Sequence, residues 1–296
     1  MTSDFENLIH QRLSGFDPSY IGEDFTSVIK GNVTPVPFFG DYRNSSIVTI
    51  AINPSTKEFS RCTPSPSEES LRKSGRSTAP KTDRGLVHLS DLGLPQNFFH
   101  MNKRITNAEH TNAILQGLTE YFDRDSYNEK WFGKVEPILN TCFGASYFSS
   151  SKAKRACHLD ISPWTTRRWR STEVQAFKEE LVKENRTFFR AFLSEPQFEN
   201  LLILGGDTRQ ILEKEFPKTP FDERTNADQK KPKGPTFAIG WLEISGSIKK
   251  RFLYNSFSPS ADQSVKNSND REKSISEGWQ QVYNDFEIFF RETFFD

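Results

Sequence analysis

Cysteines and long apolar runs are scarce in this chain of 296 residues. The three cysteines, Cys62, Cys142 and Cys157, are odd in number and far apart, which argues against a disulfide framework and for a reducing compartment. No Cys-x-x-Cys pair or closely spaced histidine pair occurs, so we expect neither a metal nor another cofactor. No apolar run approaches the ~18 residues of a transmembrane helix, and no signal-peptide pattern opens the chain. We therefore expect a soluble, cytoplasmic protein with no membrane partner.

The chain also lacks net charge, because 39 Lys and Arg residues balance 39 Asp and Glu residues. No global field attracts a polyanion, so any contact with nucleic acid has to come from local basic clusters. Three such clusters flank predicted strands: Lys152, Lys154 and Arg155; Arg167, Arg168 and Arg170; and Lys249, Lys250 and Arg251. The alternative is that these clusters form an ordinary solvated surface.

Short apolar strands alternate with helical segments along the chain. The strand pattern covers residues 47–52, 156–161, 201–204 and 252–255, with an additional edge strand at 236–244. This alternation predicts an α/β fold with a central four-stranded, mainly parallel sheet flanked by helices. We expect a single domain over residues 1–296, with an N-terminal lead-in at 1–46 and a long loop insertion at 55–84. That loop is either a lid or binding element, or a disordered surface insertion.

Two short motifs stand where predicted strands run into loops. Asn53-Pro54-Ser55 follows the β-branched run at 47–52, and Ser258-Pro259-Ser260 follows the run at 252–255. Open α/β sheets bind ligands at the carboxyl ends of their strands, so we expect both motifs to face one pocket. The alternative is that the first motif is a plain Asx turn and the second a Ser-Pro turn.

Together the two motifs resemble the signature of the uracil-DNA glycosylase superfamily, in which one strand ends in an Asp-Pro or Asn-Pro loop and a later strand ends in a Pro-Ser loop. The resemblance implies that family's fold, DNA as the partner, and a monomeric hydrolase that flips a base out and cleaves its N-glycosidic bond. Some branches hold an iron-sulfur cluster on four cysteines, which three cysteines cannot supply. No lysine lies within either motif to form a Schiff base, so a monofunctional glycosylase with water as the nucleophile is expected.

In this resemblance Asn53 takes the catalytic, water-positioning place. Its amide carbonyl can accept a hydrogen bond from water but cannot remove a proton, so catalysis depends on positioning and on stabilising the departing base. The second motif has Ser258 where the commonest family form has His. The loop is expected to grip the DNA backbone around the extruded nucleotide through Ser256, Ser258, Pro259 and Ser260.

Base choice in the family is usually read at the end of the second strand, where this chain has Asp160. A carboxylate accepts a hydrogen bond from an exocyclic amine, which distinguishes cytosine from uracil, and a protonated Asp160 with a raised pKa could donate to ring N3. A shift of the alignment by two would put His158 there instead. Ser55 stands where uracil-specific members often place Tyr, which leaves room for a substituent at C5. His88 takes the place of the aromatic residue that stacks on the base.

These residues favour a C5-substituted cytosine, such as glucosylated hydroxymethylcytosine in phage DNA, as the base removed, with antiviral defence as the role. The first alternative is a uracil or deaminated-base glycosylase of DNA repair. The second is a superfamily fold that binds nucleic acid without catalysis, with a steep salt dependence and no base release.

Overall fold

The computed structural model describes residues 3–17, 25–59, 86–123, 129–148, 154–166, 168–217, 219, 223–224, 237–256, 259, 280, 283–284 and 287. The loop insertion expected at 55–84 therefore lies outside the described residues from position 60 onward.

Six α-helices and eight β-strands have defined bounds within this described part of the chain, and the described residues at 280, 283–284 and 287 are also helical. The helices are α1 (Ser3–Leu13), α2 (Ala108–Thr119), α3 (Glu129–Phe143), α4 (Thr172–Ala176), α5 (Lys178–Ser194) and α6 (Gly206–Glu215). The strands are β1 (Phe38–Phe39), β2 (Ser45–Ala51), β3 (Ala145–Ser146), β4 (Lys154–Asp160), β5 (Asn200–Leu204), β6 (Glu223–Arg224), β7 (Phe237–Ser245) and β8 (Ile248–Asn255).

All eight strands join one sheet, in the order β1-β4-β2-β5-β8-β7-β6, with β3 paired to β4. Four long strands in its centre, β4, β2, β5 and β8, run parallel to one another. The α/β class and the mainly parallel sheet with flanking helices are confirmed, but the expected number of four strands is wrong. Three of the extra strands are only two residues long and leave no alternating pattern. The fourth, β7, covers the additional strand expected at 236–244 and pairs antiparallel with β8, but it is not the edge strand because β6 pairs with its other side.

Helices cover both faces of the sheet, as two adjacent residues of β1 illustrate. Phe38 packs against Phe192 of α5, with ring centroids 5.7 Å apart, whereas Phe39 packs against Phe132 of α3 at 5.6 Å. Successive side chains of a strand point to opposite faces, so α5 and α3 lie on opposite sides of the sheet. A strand buried on both faces has to be apolar almost throughout, which is why the run at 47–52 reads as β2.

The order of the parallel strands creates a reversal in the middle of the sheet. The chain passes from β2 to β4 on one side and then crosses back to β5 on the other side of β2. Open α/β sheets bind ligands outside the carboxyl ends of the strands at such a switch point. The fold therefore directs attention to the loops that leave β2, β4 and β5.

Candidate functional site

Asn53 lies in the loop that follows the carboxyl end of β2, on the side of the sheet that we call the carboxyl edge. Its side-chain Nδ2 donates to the carbonyl oxygen of Pro54 at 3.3 Å and to Thr166 Oγ1 at 3.2 Å. A carbonyl oxygen only accepts hydrogen bonds, so the Pro54 contact determines which end of the amide is the nitrogen. The other end, Oδ1, receives no hydrogen bond from the described residues, and the side chain is half-buried. The loop thus holds Asn53 by its nitrogen and leaves an acceptor oxygen open.

Asp160 ends the adjacent strand β4, in register with Ala51 of β2. Its side chain is buried, with Oδ1 3.3 Å from His158 Nε2, while Oδ2 has no hydrogen-bond partner among the described residues. Burial raises the pKa of the Asp160 carboxyl and His158 acts in the opposite direction, so the net shift is upward. This direction agrees with the raised pKa expected from the sequence. The end of β4 therefore holds a carboxyl group with one oxygen engaged and one open.

His158 lies behind Asp160 rather than at the edge. Its Nδ1 is 2.7 Å from Thr49 Oγ1, and its ring packs between aromatic side chains that include Trp131 at 4.8 Å and Phe132 at 5.3 Å. Both ring nitrogens have protein partners, so His158 contacts Asp160 and has no ring nitrogen left to bind a base. Sequence reasoning missed Thr49, because its place opposite His158 depends on the register of two strands.

Ser55 and His88 flank the short helical turn that follows Asn53. Ser55 accepts a backbone hydrogen bond from Glu58 at 3.1 Å, at the start of that turn. His88 Nδ1 lies 3.0 Å from Asn32 Nδ2 and His88 Nε2 lies 2.5 Å from the carbonyl oxygen of Phe59. The amide nitrogen donates and the carbonyl accepts, so the imidazole proton is on Nε2. His88 thus fixes the end of the turn through both nitrogens.

The loop after β8 leaves from the same edge as Asn53, with β5 between the two strands. Ser256 is half-buried directly after β8. Pro259 is buried, and its carbonyl oxygen accepts a hydrogen bond from Lys134 Nζ of α3 at 2.9 Å. Ser258 and Ser260 lie outside the described residues. The topology brings Asn53 and Ser256 to the carboxyl ends of parallel strands on the same side of the sheet.

Among the described members of the three basic clusters, those after β4 lie at the carboxyl edge, while Lys152 and Arg167 are outside the described residues. Arg168 and Arg170 follow β4 and are exposed, and Arg170 forms an ion pair with Asp207 at 2.8 Å while its side chain remains 80% exposed. By contrast, Arg155 stands at the amino end of β4, where Asp41 and Asp123 both pair with it at 3.1 Å.

The cluster at Lys249, Lys250 and Arg251 belongs to the amino-terminal half of β8, away from this edge. Lys250 is buried, and its Nζ donates to the carbonyl oxygens of Glu195 and Phe198 at 2.8 Å each. Lys250 therefore stabilises the fold, and within the described part of the chain the residues after β4 are the basic cluster placed beside the candidate site.

The described residues include no group of three or more His, Cys, Asp or Glu side chains that could hold a metal ion. Within the same part of the chain, no helix has the length and apolar character needed to cross a membrane. No protein-family model matches the chain, and no curated protein sequence matches it.

Proposed function

We propose that this protein is a monofunctional DNA glycosylase that flips a modified base out of DNA and hydrolyses its N-glycosidic bond. The observation that carries the proposal is a pair of side-chain oxygens without a hydrogen-bond partner among the described residues, at the carboxyl ends of two adjacent parallel strands. Asn53 Oδ1 follows β2, Asp160 Oδ2 ends β4, and each is left without a hydrogen bond by the described residues. Both lie at the sheet edge where α/β folds bind their ligands.

Asn53 would act on the water molecule. Cleavage of an N-glycosidic bond passes through a sugar with oxocarbenium character, so the enzyme has to hold water against C1′ and stabilise the departing base. An amide oxygen can orient water by accepting its hydrogen bond, and the contacts of Nδ2 with Pro54 and Thr166 prevent the amide from rotating. Catalysis then depends on geometry rather than on proton removal.

Asp160 would contact the base. An ionised carboxyl accepts from the exocyclic amine of cytosine, which uracil lacks. The resemblance places Ser55 where uracil-specific members often have Tyr, so a C5-substituted cytosine such as glucosylated hydroxymethylcytosine is the proposed substrate. DNA of phages that carry this base would then be the biological target.

One observation favours uracil as a second candidate. Burial raises the pKa of Asp160, and a protonated carboxyl can donate a hydrogen bond to the O4 carbonyl oxygen of uracil. The choice between the two bases is therefore a question of the protonation state of Asp160 in the complex.

DNA contact is supported by the exposed Arg168 and Arg170 beside the site, which suit phosphate oxygens. Ser256 adds a hydroxyl-bearing side chain on the loop after β8.

The proposal is tested with DNAs that each carry one uracil, cytosine, hydroxymethylcytosine or glucosylated hydroxymethylcytosine, followed by alkaline cleavage at abasic sites. We expect the most cleavage with a modified cytosine. Cleavage of the uracil DNA alone would select the second candidate. DNA binding with no base released from any substrate would reject both and leave a non-catalytic binding module.

A further inference from the structure

A chain of buried polar side chains runs from the interior of the sheet to Asp160. Tyr147 OH lies 2.6 Å from Thr49 Oγ1, Thr49 Oγ1 lies 2.7 Å from His158 Nδ1, and His158 Nε2 lies 3.3 Å from Asp160 Oδ1. All four side chains are buried. A buried polar chain is costly unless each donor is used, so the direction of its protons can be worked out.

The direction follows from the two ends of the chain, Tyr147 and Asp160. Thr49 Oγ1 is the only hydrogen-bond partner of the Tyr147 hydroxyl among the described residues, so Tyr147 donates to Thr49. The single proton of Thr49 can then go to His158 Nδ1 at 2.7 Å or to the carbonyl oxygen of Cys157 at 3.4 Å. The Asp160 carboxylate only accepts, so the His158 nitrogen that faces it, Nε2, carries the ring proton, and Nδ1 accepts the proton of Thr49.

We propose that Tyr147, Thr49 and His158 are positioning residues whose directed hydrogen bonds fix the Asp160 carboxyl so that Oδ2 alone meets the ligand. His158 occupies Oδ1, while Oδ2 is buried and has no hydrogen-bond partner among the described residues. An ionised Asp160 then selects a ligand that offers a hydrogen-bond donor, such as an amino group. This inference rests on the proposed function for the identity of the ligand, but the direction of the chain does not depend on it.

The chain also predicts what happens when Asp160 becomes Asn. His158 Nε2–H has to meet an acceptor, so the amide oxygen takes the place of Oδ1 and the amide nitrogen takes the place of Oδ2. Asp160→Asn therefore turns an acceptor toward the ligand into a donor. A ligand with a carbonyl oxygen, as in uracil, then becomes the preferred one.

The direction is tested by NMR of the protein with 15N-labelled histidine at neutral pH, with the His158 signals assigned by their loss in His158→Gln. We expect a proton on Nε2 and none on Nδ1. Thr49→Val removes the donor to Nδ1 and should shift these signals. The control Thr111→Val removes a buried hydroxyl that is bonded to the Ala108 carbonyl on α2, and it should leave the His158 signals unchanged. A proton on Nδ1 in the wild type would overturn the proposed direction.

The positioning role is tested by binding to DNA oligonucleotides whose 2′-fluoroarabino sugar slows base loss because fluorine destabilises the oxocarbenium ion. One oligonucleotide carries hydroxymethylcytosine and the other uracil. We expect the wild type to prefer the cytosine, Thr49→Val and Tyr147→Phe to weaken that preference about tenfold, and Asp160→Asn to reverse it. Tyr42→Phe, a buried tyrosine that contacts Glu6, should keep the wild-type preference.

Two failures of this experiment are distinguishable. A wild type without any preference overturns the selection by Asp160 together with the proposed substrate. A wild-type preference that Thr49→Val leaves unchanged overturns the positioning role alone.

Discussion

A buried ion pair joins the amino-terminal helix to the candidate site and can be tested by stability measurements. Two guanidinium nitrogens of Arg12 on α1 lie 2.5 and 2.7 Å from the two carboxylate oxygens of Glu184 on α5, and the side chains are 2% and 0% exposed. Glu184 also accepts from Trp164 Nε1 at 3.0 Å and from the backbone N–H of Asp17 at 2.8 Å. Glu184 therefore connects two helices to the loop after β4, which contains the Thr166 partner of Asn53.

We predict that Glu184→Gln lowers the free energy of unfolding by about 3–5 kcal/mol, because Arg12 remains charged and buried without a counter-ion. The double variant Arg12→Met/Glu184→Gln removes both charges and keeps an amide oxygen as acceptor at position 184, so it should lose less than Glu184→Gln alone. Urea unfolding followed by tryptophan fluorescence measures both effects.

The matched control is Arg43→Met, because the Arg43–Glu6 pair is partly exposed, with side chains 43% and 31% accessible. We expect it to cost about 1 kcal/mol at most. A loss for Glu184→Gln as small as that of the control, or a double variant less stable than Glu184→Gln, would refute the reasoning.

Three further changes test other features of the fold. Lys250→Met should cost about 2–4 kcal/mol in urea unfolding, since the carbonyl oxygens of Glu195 and Phe198 lose their buried donor. Gly40→Ala should lower the free energy of unfolding by about 2–4 kcal/mol, because φ is +87° and the new Cβ would lie 2.7 Å from the ring of Phe122. The loss should appear as a lower melting temperature. Burial raises the pKa of the Asp160 carboxyl above its ordinary 3.8, so the folded state holds this proton up to a higher pH than the unfolded state does. The free energy of unfolding therefore falls as the pH rises from about 4 to the pKa of Asp160 in the folded state. Asp160→Asn should remove that part of the slope when unfolding is compared across this range, and an unchanged slope would contradict the assignment.

The central strands could be predicted because burial on both faces demands apolar residues. Ile47, Val48 and Ile50 of β2 are fully buried, and Leu201, Leu202 and Ile203 of β5 are likewise. The helix α3 could not be predicted in the same way, because Pro137 lies inside it and proline is typical of helix ends. The short strands β1, β3 and β6 arise from tertiary pairing and leave no local signal.

The candidate site could also be predicted only in part from the sequence. Asn53 and Asp160 stand at strand ends that the sequence indicates, so their common edge follows from a parallel sheet. The contacts that define their chemistry could not be predicted, because the contacting residues are far apart in the sequence. Thr166 and Asn53 are separated by 113 positions, and Thr49 and His158 by 109. Which nitrogen or oxygen is left open depends on these long-range partners, and strand register cannot be read from a single strand.

The most direct test of the central claim is the single-turnover rate of base release from DNA that carries a modified cytosine, measured with enzyme in excess for the wild type, Asn53→Ala and Asn44→Ala. Asn44 is exposed, precedes β2 at the opposite end of the strand and donates to the side chain of Asp41, so it is the matched control. We predict that Asn53→Ala slows release by about 100-fold or more, the usual effect of losing a group that orients the reacting atoms, while Asn44→Ala keeps the wild-type rate. Equal rates for all three proteins would contradict the claim that Asn53 holds the attacking water.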